Sequence, residues 1–157
     1  MDETIEYKGG TVKIEQLEPL VGEWSMEAAF PDAPQGRTVF EWLPGNTFLV
    51  QRWEVPHPEA PDGIAIIGIE RERDGYLQHY FDSRGVSRLY RMSFENGLWS
   101  LWRTTPDFSP LDFWQRFTGR LGDDGGTIRG SWESSRDDGA SWDHDFELTY
   151  RKVRRPT

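Results

Sequence analysis

Cysteine is absent from the 157 residues, which excludes disulfides, iron–sulfur clusters, thiolate metal sites and a cysteine nucleophile. Positive charge is scarce as well: 18 Lys and Arg stand against 27 Asp and Glu, a formal net charge of −9. Such a surface repels phosphate backbones and anionic lipid, so neither nucleic acid nor a membrane is an expected partner. The basic run Arg151 to Arg155 is too short to reverse that balance. No apolar run approaches the roughly 20 residues a membrane helix requires. The first thirty residues lack a basic segment followed by an apolar one, so the expected address is the cytoplasm. Conventional catalytic signatures are missing too: there is no Gly-x-Ser-x-Gly elbow, phosphate-binding glycine loop, dinucleotide fingerprint or His-Glu-x-x-His pair. The three histidines, no two of them at ligand spacing, argue against a structural zinc site.

Aromatic side chains, by contrast, are abundant: eight Trp, nine Phe and five Tyr. Rings that bury about 150–250 Å² each either pack a core or line a cavity. The length suits one domain, residues 1–157. Ile14 to Val21 carries apolar residues at a loosely helical spacing, and Pro19 limits it to a turn or two of helix. From about residue 20 to 153 the period is two. Segments such as "EWSMEAAF", "TFLVQRWEV", "YLQHYF", "VSRLYRMSF", "LWSLWRTT", "FWQRFTGRL" and "TIRGSWESS" add up to about ten strands. Turn signals separate them, including "PGN", "RDG", "ENG" and "RDDG", whose Asn-Gly and Asp-Gly steps supply the positive φ angles of tight hairpins.

Strands joined by hairpins are antiparallel neighbours, and no 10–15-residue helical pattern intervenes to make a parallel sheet. A meander of this length avoids exposed edges by closing. The fold class is therefore all-β, an antiparallel up-and-down β-barrel with a short N-terminal helical turn. Two longer Pro-containing connections, Pro56 to Gly63 and Pro106 to Asp112, follow the third and seventh strands and are expected at one open end.

The stretch "LEPLVGEWS", a helical turn leading into Gly22-x-Trp24 at the first strand, resembles the calycin superfamily of lipocalin-like barrels. "DSRGVSRLYRMSFENGLWSLWRTTPDFSPLDFWQRFTGRL" and "GGTIRGSWESSRDDGASWDHDFELTYRKV" are similar to an uncharacterised bacterial branch of it. The resemblance spans roughly residues 16–153. It implies that Trp24 plugs the closed barrel end under a cation, for which Arg151 is the matching residue and Lys152 or Arg154 the substitutes. The chain is similar, more distantly, to the nitrobindin-type haem barrels, which also begin with Gly-x-Trp and ligate iron through an inward His near the C-terminus. His144 matches that position, whereas Met26 stands where the haem barrels have a second Gly.

His144 also raises the sharpest question from the residues alone, because Trp142, His144, Phe146, Leu148 and Tyr150 form one parity of "WDHDFELTY". An imidazole in an inward row either bonds a neighbouring strand, or meets the polar end of an organic ligand, or ligates haem. Arg52, Arg88 and Gln115 likewise share rows with apolar residues. A buried Arg must be paired, for example Arg52 with Glu41 or Glu54, or must meet an anionic ligand. Trp53, Tyr90, Trp102, Phe117 and Trp132 would wall such a cavity, with the acidic group at its bottom. The expected function is binding of a small, mainly hydrophobic molecule in this aromatic cavity, without a cofactor. The alternatives are a ferric haem protein (haem b) acting on reactive nitrogen or oxygen species, and a cofactor-free isomerase using His144 as acid or base. Self-association into a homodimer is compatible with either.

Overall fold

A computed structural model describes residues 12–29, 32–104 and 113–154. A 3-10 helix, Ile14–Leu20, leads into ten strands: β1 (Gly22–Ala28), β2 (Gly36–Trp42), β3 (Leu49–Glu54), β4 (Gly63–Glu70), β5 (Gly75–Asp82), β6 (Ser87–Glu95), β7 (Leu98–Arg103), β8 (Trp114–Leu121), β9 (Thr127–Ser135) and β10 (Asp143–Lys152). Each pairs antiparallel with the next, and β1 pairs with β10, so the sheet is a closed barrel. Closure satisfies both edges that an open ten-stranded meander would leave bare. The hairpins follow the sequence signals: Asn96 (φ 51°) and Gly97 (φ 76°) form the two-residue β6–β7 turn with both residues left-handed, as the strand twist demands.

One barrel end is plugged. Ile14, Leu17 and Leu20 of the 3-10 helix are buried against Trp24, which is fully enclosed, and the indole N–H donates to the Leu20 carbonyl at 2.9 Å. Tyr76 ties the same helix down by donating to the Lys13 carbonyl at 2.8 Å. Its burial, with Glu15, Asp74 and Glu95 nearby, pushes the phenol up to about 12. The cation over Trp24 is Lys152, whose Nζ lies 5.2 Å from the ring centroid. Arg151 is not the packing partner: the β1–β10 register sets Lys152 opposite Trp24 and Arg151 opposite Ser25, so Arg151 projects outward and is exposed. Gly22 belongs to this clasp, since at φ 132° a side chain there would be strained and its Cβ would come within 3.0 Å of the Lys152 Cε.

The β3–β4, β5–β6 and β9–β10 connections, residues 55–62, 83–86 and 136–142, gather at the opposite end, where β1 and β7 also finish. The β3–β4 connection carries the expected Pro-rich loop; Pro106 to Asp112 lies outside the described residues. Among the described residues no helix is long and apolar enough to cross a membrane.

Candidate functional site: an aromatic-walled barrel cavity

Strands that alternate inward and outward residues around a ten-stranded barrel enclose more space than their own side chains fill. Here a cavity of about 700 Å³ opens between the loops of the unplugged end, at Pro34, Pro61 and Arg84, and reaches down to Trp99 and Tyr150. Its wall is a continuous chain of rings. Trp53 stacks on Tyr80 with centroids 5.2 Å apart, Tyr80 meets Tyr90 edge-on at 6.0 Å, and Tyr90 meets Trp132 at 5.9 Å. The chain continues through Phe117 at 5.2 Å from Trp132, from Phe117 to Trp99 at 4.9 Å, and from Trp99 to Tyr150 at 5.8 Å. These edge-to-face and offset contacts fix each ring by its neighbours, so the wall is rigid before any ligand arrives.

The rings approach so closely because glycines stand beneath one of them. A Cβ atom added at Gly119 would lie 2.9 Å from the Phe117 ring, and one added at Gly130 would overlap it. Phe117 thus lies across two bare backbone positions while also lining the cavity.

Polar groups are few and grouped. Arg88 near the start of β6, Tyr90, Arg103 at the end of β7 and Gln115 at the start of β8 form one patch on the mouth side of the wall. Tyr90 Oη donates to Gln115 Oε1 at 2.9 Å, and Arg103 Nη2 donates to the same oxygen at 3.0 Å. Burial raises the Tyr90 phenol, with the Arg88 and Arg103 charges opposing the rise, so the hydroxyl stays protonated. Beside them the Arg88 guanidinium sits 5.6 Å from the Tyr80 ring centroid. Tyr80 Oη donates to Asp82 Oδ2 at 2.6 Å and Arg84 Nη2 to the same oxygen at 2.7 Å. Burial works to raise the Asp82 carboxyl, but the hydrogen bonds from Arg84 and Tyr80 outweigh it and hold the group at about 2. Deeper in, Gln51, Gln78 and Tyr150 complete the lining, and burial raises the Tyr150 phenol.

The residues read from sequence divide cleanly. Tyr90, Phe117 and Trp132 line the cavity, as do Arg88, Gln115 and Trp53. Arg88 lies toward the mouth, not the bottom, because β6 starts at the open end. His144 does not face the cavity. A β-bulge between His144 and Phe146 sets two residues of β10 against one of β9, so Phe146 opposes inward Trp132 while His144 opposes outward Glu133. The extra residue reverses the parity above it. His144 is exposed, with Nδ1 3.4 Å from Ser131 Oγ, and Trp142 packs outside beneath Arg116, whose Cζ is 4.0 Å from its ring. Arg52 also points outward, where its Nε donates to Glu41 Oε1 at 3.0 Å; Leu49, Gln51 and Trp53 supply the inner face of β3 instead. Trp102 is 36% exposed on the outer wall, since Trp99, Leu101 and Arg103 take the inward parity of β7. His79 is exposed as well. Sequence reasoning missed Arg103, Tyr80, Gln51 and Gln78; the shared parity of Trp99, Leu101 and Arg103 was the available signal for the first.

A haem held through His144 does not fit this arrangement, because the imidazole lies on the far side of the sheet from the cavity. Among the described residues the cavity lining holds one imidazole, His57 in the β3–β4 loop, whose Nδ1 accepts the Glu59 amide N–H at 3.1 Å.

Comparison with solved structures finds a similar fold in the crystal structure of Rv2717c from M. tuberculosis, with a TM-score of 0.61, 16% identity, and coverage of 91% of this chain and 99% of that chain. No protein-family model matches the chain, and comparison with curated proteins gives no match.

Proposed function

We propose that this calycin-like barrel binds a small, mainly apolar organic acid, with its hydrocarbon or ring portion against the aromatic wall and its acidic group toward the mouth at Arg88. The observation that carries the reading is the combination of a cavity of about 700 Å³, a wall of mutually braced rings and a guanidinium built into that wall. Apolar burial supplies affinity at roughly 25 cal/mol per Å², and an Arg fork supplies direction, since it matches a carboxylate in two parallel hydrogen bonds. The protein carries a net charge of −9, so a cation set inside the cavity gives an anion a local partner against the acidic balance of the whole chain. Binding of this kind requires no cofactor, nucleic acid or membrane, and it suits a cytoplasmic protein. An isomerase reading that depends on His144 as acid or base loses its residue to the bulge.

The test is a pair of probes, 2-naphthoic acid and its uncharged methyl ester, titrated against the protein while tryptophan emission is followed. Trp53, Trp99 and Trp132 border the cavity, so occupancy should quench emission saturably. Arg88→Met should weaken the acid about tenfold or more and leave the ester nearly unchanged. Absence of saturable quenching with both probes would refute the proposal.

A further inference from the structure

The outer wall carries a depression whose lining shares no residue with the cavity. Arginines that project outward from the strands are mostly neutralised: Arg37 pairs with Glu23, Arg52 with Glu41, Arg91 with Glu70 and Arg116 with Glu133. Arg120, Arg129 and Arg151 are the exceptions. Among the described residues none of the three has a carboxylate within ion-pair distance, although the chain has nine more acidic than basic residues. They are also adjacent. Arg120 on β8 is the direct cross-strand partner of Arg129 on β9, and Arg151 lies one inward–outward repeat from Thr149, the β10 partner of Arg129. Like charges placed directly opposite on a sheet are unfavourable, and a bound anion between them reverses the sign of that term.

The surroundings suit an oxyanion. The depression, of about 460 Å³ on this face, is lined by Arg129, Arg151, Thr118, Ser131 and Thr149, and by Glu147. Hydroxyl groups at three positions around two guanidiniums match the donor pattern of a tetrahedral dianion, and the guanidinium fork matches two of its oxygens at once. Two guanidiniums on one confined depression fit one multivalent group in preference to an extended strand of charges. Glu147 opposes an anion here, which keeps affinity modest and supplies a diagnostic.

We propose that the outer face of β8, β9 and β10 is a binding site for a phosphate group, free or as the monoester of a small molecule, held by Arg129 and Arg151 with the Thr118, Ser131 and Thr149 hydroxyls, Arg120 adding its charge from beside Arg129. The probes are inorganic phosphate and phenyl phosphate, titrated against the full chain at constant ionic strength with chloride as the control. Backbone amide chemical shifts give the readout. Saturable shifts should appear at residues 118, 129–131 and 147–151 with phosphate and not with chloride. Arg129→Ala and Arg151→Ala, both at exposed positions, should each weaken binding by about tenfold, and Glu147→Gln should tighten it. Phenyl phosphate binding more tightly than inorganic phosphate assigns the site to esters, and equal binding assigns it to the free ion; both outcomes uphold it. Shifts that chloride reproduces, indifference to both Arg replacements, or weaker binding in Glu147→Gln would overturn it. The naphthoic acid response of the cavity stays independent of these variants, so the two sites fail or stand separately.

Discussion

Replacement of Gly130 by Ala tests the packing that shapes the cavity wall. Gly130 sits on the inner face of β9, and a methyl group there overlaps Cε2 and Cζ of Phe117 while coming within 3.1 Å of the Leu148 carbonyl oxygen. The carbonyl belongs to the β9–β10 ladder and cannot withdraw without breaking it. The ring must therefore retreat by about 1 Å or more, as overpacked cores require of their neighbours. It is not fully free to do so, because Trp99 stands 4.9 Å away edge-on and Trp132 packs at 5.2 Å. Small-to-large changes in such places cost about 1–3 kcal/mol, and a neighbouring cavity that accepts part of the displaced ring puts the expected value near the middle of that range. Urea denaturation followed by tryptophan emission measures it, with an unchanged m-value expected. The decisive arm is a double-mutant cycle with Phe117→Leu, in which the smaller side chain leaves room for the methyl. On that background Gly130→Ala should cost less than about 0.5 kcal/mol. A Gly130→Ala variant as stable as the parent, or a cost that is the same in the parent and on the Phe117→Leu background, would refute the stacked arrangement.

Asp82→Asn should lower stability at pH 7 by about 1–3 kcal/mol, because it leaves the Tyr80 and Arg84 donors with a weaker acceptor. The folded-state carboxyl titrates at about 2 against an ordinary 3.8, so the ionised form is favoured on folding. Its contribution is complete above about pH 4 and is lost as pH falls from there through about 2. Parent and variant stabilities should accordingly converge near pH 2, and a gap that persists unchanged at that pH would contradict the assignment. His144→Ala, at an exposed position outside the barrel, should change stability by less than about 0.5 kcal/mol and leave naphthoic acid binding unaltered; loss of that binding would place the imidazole inside after all.

The barrel itself was legible because its signals are local and redundant. Ten period-two segments and the Asn-Gly and Asp-Gly turns each argue separately for an antiparallel meander, and an error in one strand leaves the others standing. The inward list for the site was legible only where one face of a strand is plainly polar. Phe117 stands between Arg116 and Thr118, and Trp132 between Ser131 and Glu133, and both face the cavity. On β3 both parities contain large apolar residues, so Arg52 travelled with exposed Phe48 and buried Val50 while Gln51 carried the inner face. On β10 the parity is correct from Tyr150 back to Phe146 and fails at a single inserted residue. A bulge of that kind has no periodic signature, since alternation resumes on both sides of it. The choice between Arg151 and Lys152 over Trp24 depends on the register between two strands at opposite ends of the chain, which no local pattern specifies.

The seam between β1 and β10 has a kinetic meaning. It joins segments such as Ser25 and Arg151, 126 positions apart, whereas every other pairing in the barrel links neighbours in sequence. Hairpins of that local kind assemble in about microseconds, and each can form before the whole sheet exists. The seam pays the loop entropy of nearly the entire chain at once, which makes it the natural slow step. A meander whose seam has not shut would expose the Trp99, Phe117 and Trp132 rings to water on one side and offer two bare backbone edges to other molecules. The Trp24–Lys152 clasp is therefore a latch on folding: variants that loosen it should accumulate ribbon-like, aggregation-prone chains while the hairpins themselves form at undiminished speed.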